Sequence, residues 1–186
     1  MQQWKVTERA EFLSLLQQEG RTSFLEIGSG PGRDGKFFQD VDLRVTCIDL
    51  SPEMVRLCRR KGLTARVMDA TEMDFPDSSF EAVYALNSLL HLSKTELPDV
   101  LRKIDAVLTP TGLFYMGVYG GFEHEGVWEE DDYQPKRFFS FFTDDHLKQV
   151  VSEVFDVLSF KKVALPGRDN HHFQSLVLRK KSPELV

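Results

Sequence analysis

Three glycines alternate with other residues in Gly28-Ser29-Gly30-Pro31-Gly32, directly after a short apolar run, Phe24, Leu25 and Ile27, that carries one acid, Glu26. Leaving out every second Cβ lets backbone N–H groups come within van der Waals reach of a ligand, which is what a nucleotide-sized cofactor requires. The spacing is GxGxG; a dinucleotide fingerprint of the GxGxxG type would put its third glycine where this chain has Arg33. Asp49 closes the next strand-like run, Arg44 to Ile48. A carboxylate at that point can accept hydrogen bonds from both hydroxyls of a ribose.

In an open α/β sheet the ligand lies beyond the carboxyl ends of the strands, and this rule selects two further groups. Asn87, Ser88 and His91 follow the run Phe80 to Leu86, and Tyr119, Gly120 and Gly121 follow Leu113 to Val118. His91 is a candidate general base, able to take a proton from an acceptor hydroxyl or amine near neutral pH; beside Leu89, Leu90 and Leu92 it also reads as a hydrogen-bonded wall residue. Glu123 to Asp132 reads as a loop with two ring side chains, His124 and Trp128, among six carboxylates. As a lid it would favour a cationic or amine acceptor; the plainer reading is a solvated surface loop. The run RFFSFF, Arg137 to Phe142, reads as core or strand packing, or as a pocket wall. His171 and His172 are adjacent, so on a strand they face opposite sides and cannot chelate one metal together.

These residues need elements to hold them. Imperfect helical spacing of Trp4, Phe12, Leu15 and Leu16 predicts a helix over residues 4 to 18, ending at Gly20 and placed to cover the cofactor. Ser51 and Pro52 cap and open a helix that ends before Gly62, and Thr64 to Met68 is a third strand. Ser93 and Glu96 form a capping box ahead of Leu97, Val100, Leu101, Ile104 and Leu108, and Pro110 and Gly112 end that helix. Thr143 caps a last helix, followed by strands near Val157 to Val163 and Phe173 to Leu178, joined by a short loop with Pro166, Gly167 and Asn170. Alternating strands and helices require a mainly parallel sheet covered on both faces, and the short final connection makes the last strand antiparallel. Only the tail, Arg179 to Val186, reads as disordered.

The chain has 186 residues, 41% of them hydrophobic, enough for one domain over residues 1–186 with one sizeable core. A net charge of −6 disfavours a phosphate-tracking surface and hence nucleic acid as a partner. Two cysteines, Cys47 and Cys58, supply neither a disulfide framework nor a cysteine-based metal site. The leader has no apolar signal stretch and no run approaches a membrane span, so a cytoplasmic location is expected.

Together LEIGSGPGRD, CIDLSPEM, MDATEMDFPDSSFEAVYALNSLLHL and LTPTGLFYMGVYGG resemble a class I S-adenosylmethionine-dependent methyltransferase, over about Phe24 to Gly121. The resemblance implies a doubly wound, Rossmann-like sheet of seven strands. It implies S-adenosyl-L-methionine as cofactor, S-adenosyl-L-homocysteine as product, and an acceptor that we expect to be a small molecule. The glycine turn, Gly28, Gly30 and Gly32 with Glu26, then faces the methionine half, Arg33 can reach its carboxylate, Asp49 holds the ribose, and Asp69 with Ala70 holds the adenine. Leu50, Met54 and Asn87 complete that set, while Ser88, His91, Tyr119, His124 and Trp128 are the expected acceptor pocket. Methyl transfer from a sulfonium needs mainly alignment of two molecules, so no metal or nucleophilic triad is expected. Two other readings compete: a cofactor-binding regulator or subunit without catalysis, and a nicotinamide-dependent oxidoreductase, which Arg33 and Asp69 disfavour.

Overall fold

The run after Thr22 forms β1 (Ser23–Ile27), buried from Phe24 to Ile27, and everything else in the fold is built outward from it. It is preceded by α1 (Gln3–Gln18) and followed by α2 (Arg33–Gln39), β2 (Arg44–Asp49), α3 (Pro52–Arg60), β3 (Thr64–Val67) and β4 (Phe80–Leu86). Then come α4 (Leu97–Val107), β5 (Leu108–Gly120), β6 (His124–Val127), β7 (Phe138–Phe141), α5 (Asp144–Ser152), β8 (Phe155–Ala164) and β9 (His172–Lys180). A computed structural model describes residues 3–165 and 171–182. The seven-stranded sheet has the order β3-β2-β1-β4-β5-β9-β8. β1 pairs in parallel with β2 and β4, β2 with β3 and β4 with β5, while β9 runs antiparallel between β5 and β8. This is the mainly parallel sheet expected from the alternation of elements, and the doubly wound, Rossmann-like sheet of seven strands that the resemblance implies.

Two cores lie against the two faces of the sheet. One packs Leu101 and Ile104 of α4 and Leu147 and Val151 of α5 on Leu25, Val83, Phe114 and Leu176. The other packs Phe12 and Leu16 of α1, Phe38 of α2 and Cys58 of α3 on Phe24, Val45 and Tyr84. Each fully buried leucine contributes about 1.5–3 kcal/mol relative to exposure. Both cysteines are buried free thiols. Ser51 accepts from Met54 N at 3.4 Å and Pro52 opens α3, as the cap signal predicts. The Ser93–Glu96 box closes reciprocally, Ser93 N donating to Glu96 Oε2 at 2.8 Å and Glu96 N to Ser93 Oγ at 3.2 Å.

Several expectations are corrected. The acidic segment is not a loop throughout: His124–Val127 pairs with Phe138–Phe141 as an antiparallel hairpin, because the phenylalanine run supplies a strand partner. β5 begins at Leu108, since Thr109-Pro110-Thr111-Gly112 is absorbed as a bulge, with Thr111 at φ +60° between the Phe80–Leu108 and Ala82–Leu113 pairs. Thr143 does not cap α5 through its hydroxyl, which donates instead to Glu123 Oε1 at 3.0 Å. Arg179 and Lys180 belong to β9 rather than to a tail: Arg179 pairs with Glu19 at 2.5 Å, and Lys180 donates to the carbonyls of Asp105 and Leu108. The turn with Pro166, Gly167 and Asn170, and residues 183–186, lie outside the described residues. Among the described residues no helix is long and apolar enough to cross a membrane.

Candidate active site

The sheet order reverses direction between β1 and β4, and a crevice opens there beyond the carboxyl ends of the strands. A cavity of about 400 Å³ is lined by Gly28 after β1, Asp49 and Leu50 at the end of β2, Asp69 and Ala70 after β3, and Asn87, Ser88 and His91 after β4. A second cavity, about 520 Å³, shares Gly28 and continues over the glycine turn to Glu26, Gly30, Arg33 and Lys5.

Asp49 joins the two. Its Oδ2 accepts from the Gly30 amide at 2.8 Å and its Oδ1 from the Ser51 amide at 2.9 Å, so the carboxylate fixes the glycine turn and the start of α3 together. Two ionised oxygens still have lone pairs to spare for hydroxyl donors. Beside it Leu50 is 67% exposed, an apolar platform at the cavity mouth. Asp69 turns its Oδ1 onto the Thr71 amide at 2.8 Å, which positions Ala70.

The glycines differ in role. A Cβ on Gly28 would stand 2.3 Å from Ser88 Cβ, and one on Gly32 would stand 2.7 Å from Leu63 and 2.8 Å from Cys58 Sγ; both face protein. Gly30, at φ +51°, has nothing within 4 Å and is the one whose missing side chain leaves room for a ligand. Gly32 and Met54 line neither cavity; Met54 serves through its amide in the Ser51 cap.

Glu26 is buried, accepts from Cys47 Sγ at 3.4 Å, and has its pKa pushed up to about 8 by burial and by the neighbouring Asp34 carboxylate. Asn87 sits at φ +53°, donates its amide to Gly117 O at 2.7 Å, and keeps a buried Oδ1 without a hydrogen-bond partner. Such an orphan acceptor costs on the order of 1–3 kcal/mol until a donor reaches it.

The expected acceptor pocket divides in two. Ser88 and His91 lie in the first cavity with Asp49, whereas Tyr119 and Trp128 line a separate one of about 280 Å³ with Phe139, Phe141, Glu130 and Asp132. Ser88 is occupied structurally, donating its hydroxyl to Ile27 O at 2.8 Å. His124 packs its ring on Trp128 at 4.9 Å and does not line that cavity. His91 connects the two: Nδ1 lies 2.8 Å from Phe138 O, and the ring packs on Phe139 at 4.6 Å. A carbonyl can only accept, so Nδ1 carries the proton and Nε2 is left with its lone pair. Burial lowers the pKa of His91, against the opposing bond to Phe138, and keeps the ring neutral near pH 7.

Three of the six carboxylates of the acidic segment are held by basic side chains that its sequence alone does not place. Glu123 meets Lys94 and His146, Glu129 meets Lys136 at 2.9 Å, and Asp131 meets Arg137 at 2.6 Å. Of the residues at the cavities, Lys5 carries no motif signal, and the signals at Met68, Leu92 and Glu96 do not place them at a ligand. Their positions follow from tertiary packing.

The family described as methyltransferase domain matches residues 24–112. That stretch holds the glycine turn, Asp49, Asp69, Asn87 and His91. Residues 24–112 are thus similar to a methyltransferase domain, in line with the resemblance to class I S-adenosylmethionine-dependent methyltransferases. Wheat (Triticum aestivum) phosphoethanolamine N-methyltransferase is 29% identical over 117 residues, 59% of this chain and 23% of that protein. Sterol 24-C-methyltransferase of Aspergillus fumigatus is 40% identical over 104 residues, 51% of this chain and 26% of that protein. The chain thus spans about a quarter of the length of these curated relatives. Among solved structures, Burkholderia thailandensis 1,6-didemethyltoxoflavin-N1-methyltransferase, with bound 1,6-didemethyltoxoflavin and S-adenosylhomocysteine, shares the fold at a TM-score of 0.76 and 24% identity. The match covers 94% of this chain and 78% of that one.

Proposed function

We propose that the chain, acting as a single domain in the cytoplasm, transfers a methyl group from S-adenosylmethionine to a small-molecule acceptor by in-line displacement. The observation that carries this reading is the Asp49 carboxylate, bonded to Gly30 N at the point where the sheet order reverses and lining a cavity together with Asp69. The cofactor supplies a methyl group already activated by its sulfonium, so the chain's own task is alignment.

Asp49 accepts the ribose hydroxyls; Leu50, Asp69 and Ala70 wall the base; Glu26, Gly28, Gly30 and Arg33 surround the methionine half, with Gly32 and Met54 shaping the turn and the cap behind it. Asn87 Oδ1 offers its unpaired acceptor to a donor in the cleft. The acceptor is held between Ser88, His91 and the rings of Tyr119 and Trp128, and His91 Nε2 takes the proton that a hydroxyl or amine acceptor must lose. Nucleic acid is not the acceptor on this reading, since the net charge of −6 opposes phosphate.

Calorimetry with S-adenosylhomocysteine and with NAD tests the assignment. Binding of the first and none of the second is expected; the reverse preference would replace the methyltransferase reading with a nicotinamide one.

A further inference from the structure

The cavity over the glycine turn is partly walled by α1, an element outside the matched stretch. Lys5 lines it together with Glu26, Gly30, Arg33 and Asp34. The Lys5 ammonium stands 5.1 Å from the Trp4 ring and 5.7 Å from the Tyr119 ring, and among the described residues it meets no carboxylate. Arg33 likewise has no carboxylate partner there. Both nearby acids are already discharged: Asp34 is paired with Arg9 at 2.6 Å, and the buried Glu26 carboxyl holds its proton at neutral pH. The cavity therefore presents two uncompensated cations to whatever fills it, and an anion is what they favour.

α1 is held firmly enough to position one of them. Arg9 forms the ion pair to Asp34 at the start of α2 and places its guanidinium 3.8 Å over the Phe37 ring. Glu8, buried, accepts from Ser175 in β9. We propose that Lys5, carried over the glycine turn by α1, pairs with the carboxylate of the cofactor's methionine half and shares it with Arg33. The assignment rests on the cofactor reading above. Through Tyr119, which lies under Lys5 and lines the aromatic cavity, it also makes α1 a common wall of the cofactor and acceptor sites.

The test is calorimetry on the full chain, without acceptor, using S-adenosylmethionine and decarboxylated S-adenosylmethionine, which differ only in the carboxylate. Lys5→Met is expected to weaken the first about ten-fold or more and leave the second unchanged, with Lys5→Arg recovering most of the loss. Unchanged affinity for both, or equal loss for both, overturns the assignment while leaving the cofactor reading standing. Binding of neither compound by the wild-type chain removes the cofactor reading and this assignment with it.

Discussion

Asp49 has both oxygens engaged by backbone amides of two different elements, so its charge is held in place before a ligand arrives. On the proposed reading Asp49→Ala removes the ribose acceptors and also frees the Gly30 amide, and charge-assisted hydrogen bonds contribute roughly 1.5–3 kcal/mol each. A fall of one to three orders of magnitude in S-adenosylhomocysteine affinity is expected, with the far-ultraviolet spectrum unchanged. Unaltered affinity would remove Asp49 from the site. The residue scale also explains why an equal spacing of glycines does not mean equal roles: Gly28 and Gly32 abut Ser88 and Leu63, and only Gly30 opens on empty space.

At the scale of elements, β1 is secured to β4 by one side chain. Glu81 Oε2 accepts from Thr22 N at 2.8 Å and Ser23 N at 2.9 Å, and from both hydroxyls. The backbone bond from Thr22 is the largest cause, and the Glu81 pKa drops to about 2. A depressed carboxylate stabilises the fold fully above its unfolded value near 4.5 and loses that contribution as pH falls toward 2. Glu81→Gln should therefore lower the melting temperature at pH 7, by an equivalent of about 1–3 kcal/mol, and the two proteins should converge as pH approaches 2. A gap that persists at low pH would point to packing instead.

The elements were legible where local signals act alone. Ser51 and Pro52, the Ser93–Glu96 box and the strand at Phe24 to Ile27 all stand where period and capping place them. Signals failed where a distant partner decides. The hairpin at His124 needs Phe141 opposite, the bulge at Thr111 needs the Phe80–Leu108 and Ala82–Leu113 pairs, and Thr143 gives its hydroxyl to Glu123. The site divides the same way: the residues just after β1, β2, β3 and β4 fall in one crevice, while the split between the His91 cavity and the Trp128 cavity depends on how the hairpin docks.

The whole molecule is a sheet with a separate core on each face, and Glu26 is the acid that this arrangement encloses most completely, 4% exposed beside Cys47 and Gly35. A Cβ on Gly35 would reach within 2.6 Å of Glu26 Oε2, so the missing side chain is what leaves room for the carboxyl there. With a folded pKa of about 8 against an unfolded 4.5, the native chain holds a proton at neutrality that the unfolded chain releases. The sign is opposite to that of Glu81: the contribution is complete below about 4.5 and is lost as pH rises toward 8. Denaturant titrations from pH 5 to 8 should show stability falling by a few kcal/mol, and Glu26→Gln should flatten that slope. Unfolding is then a proton-releasing reaction, and its measured heat should change with the ionisation enthalpy of the buffer that receives the proton.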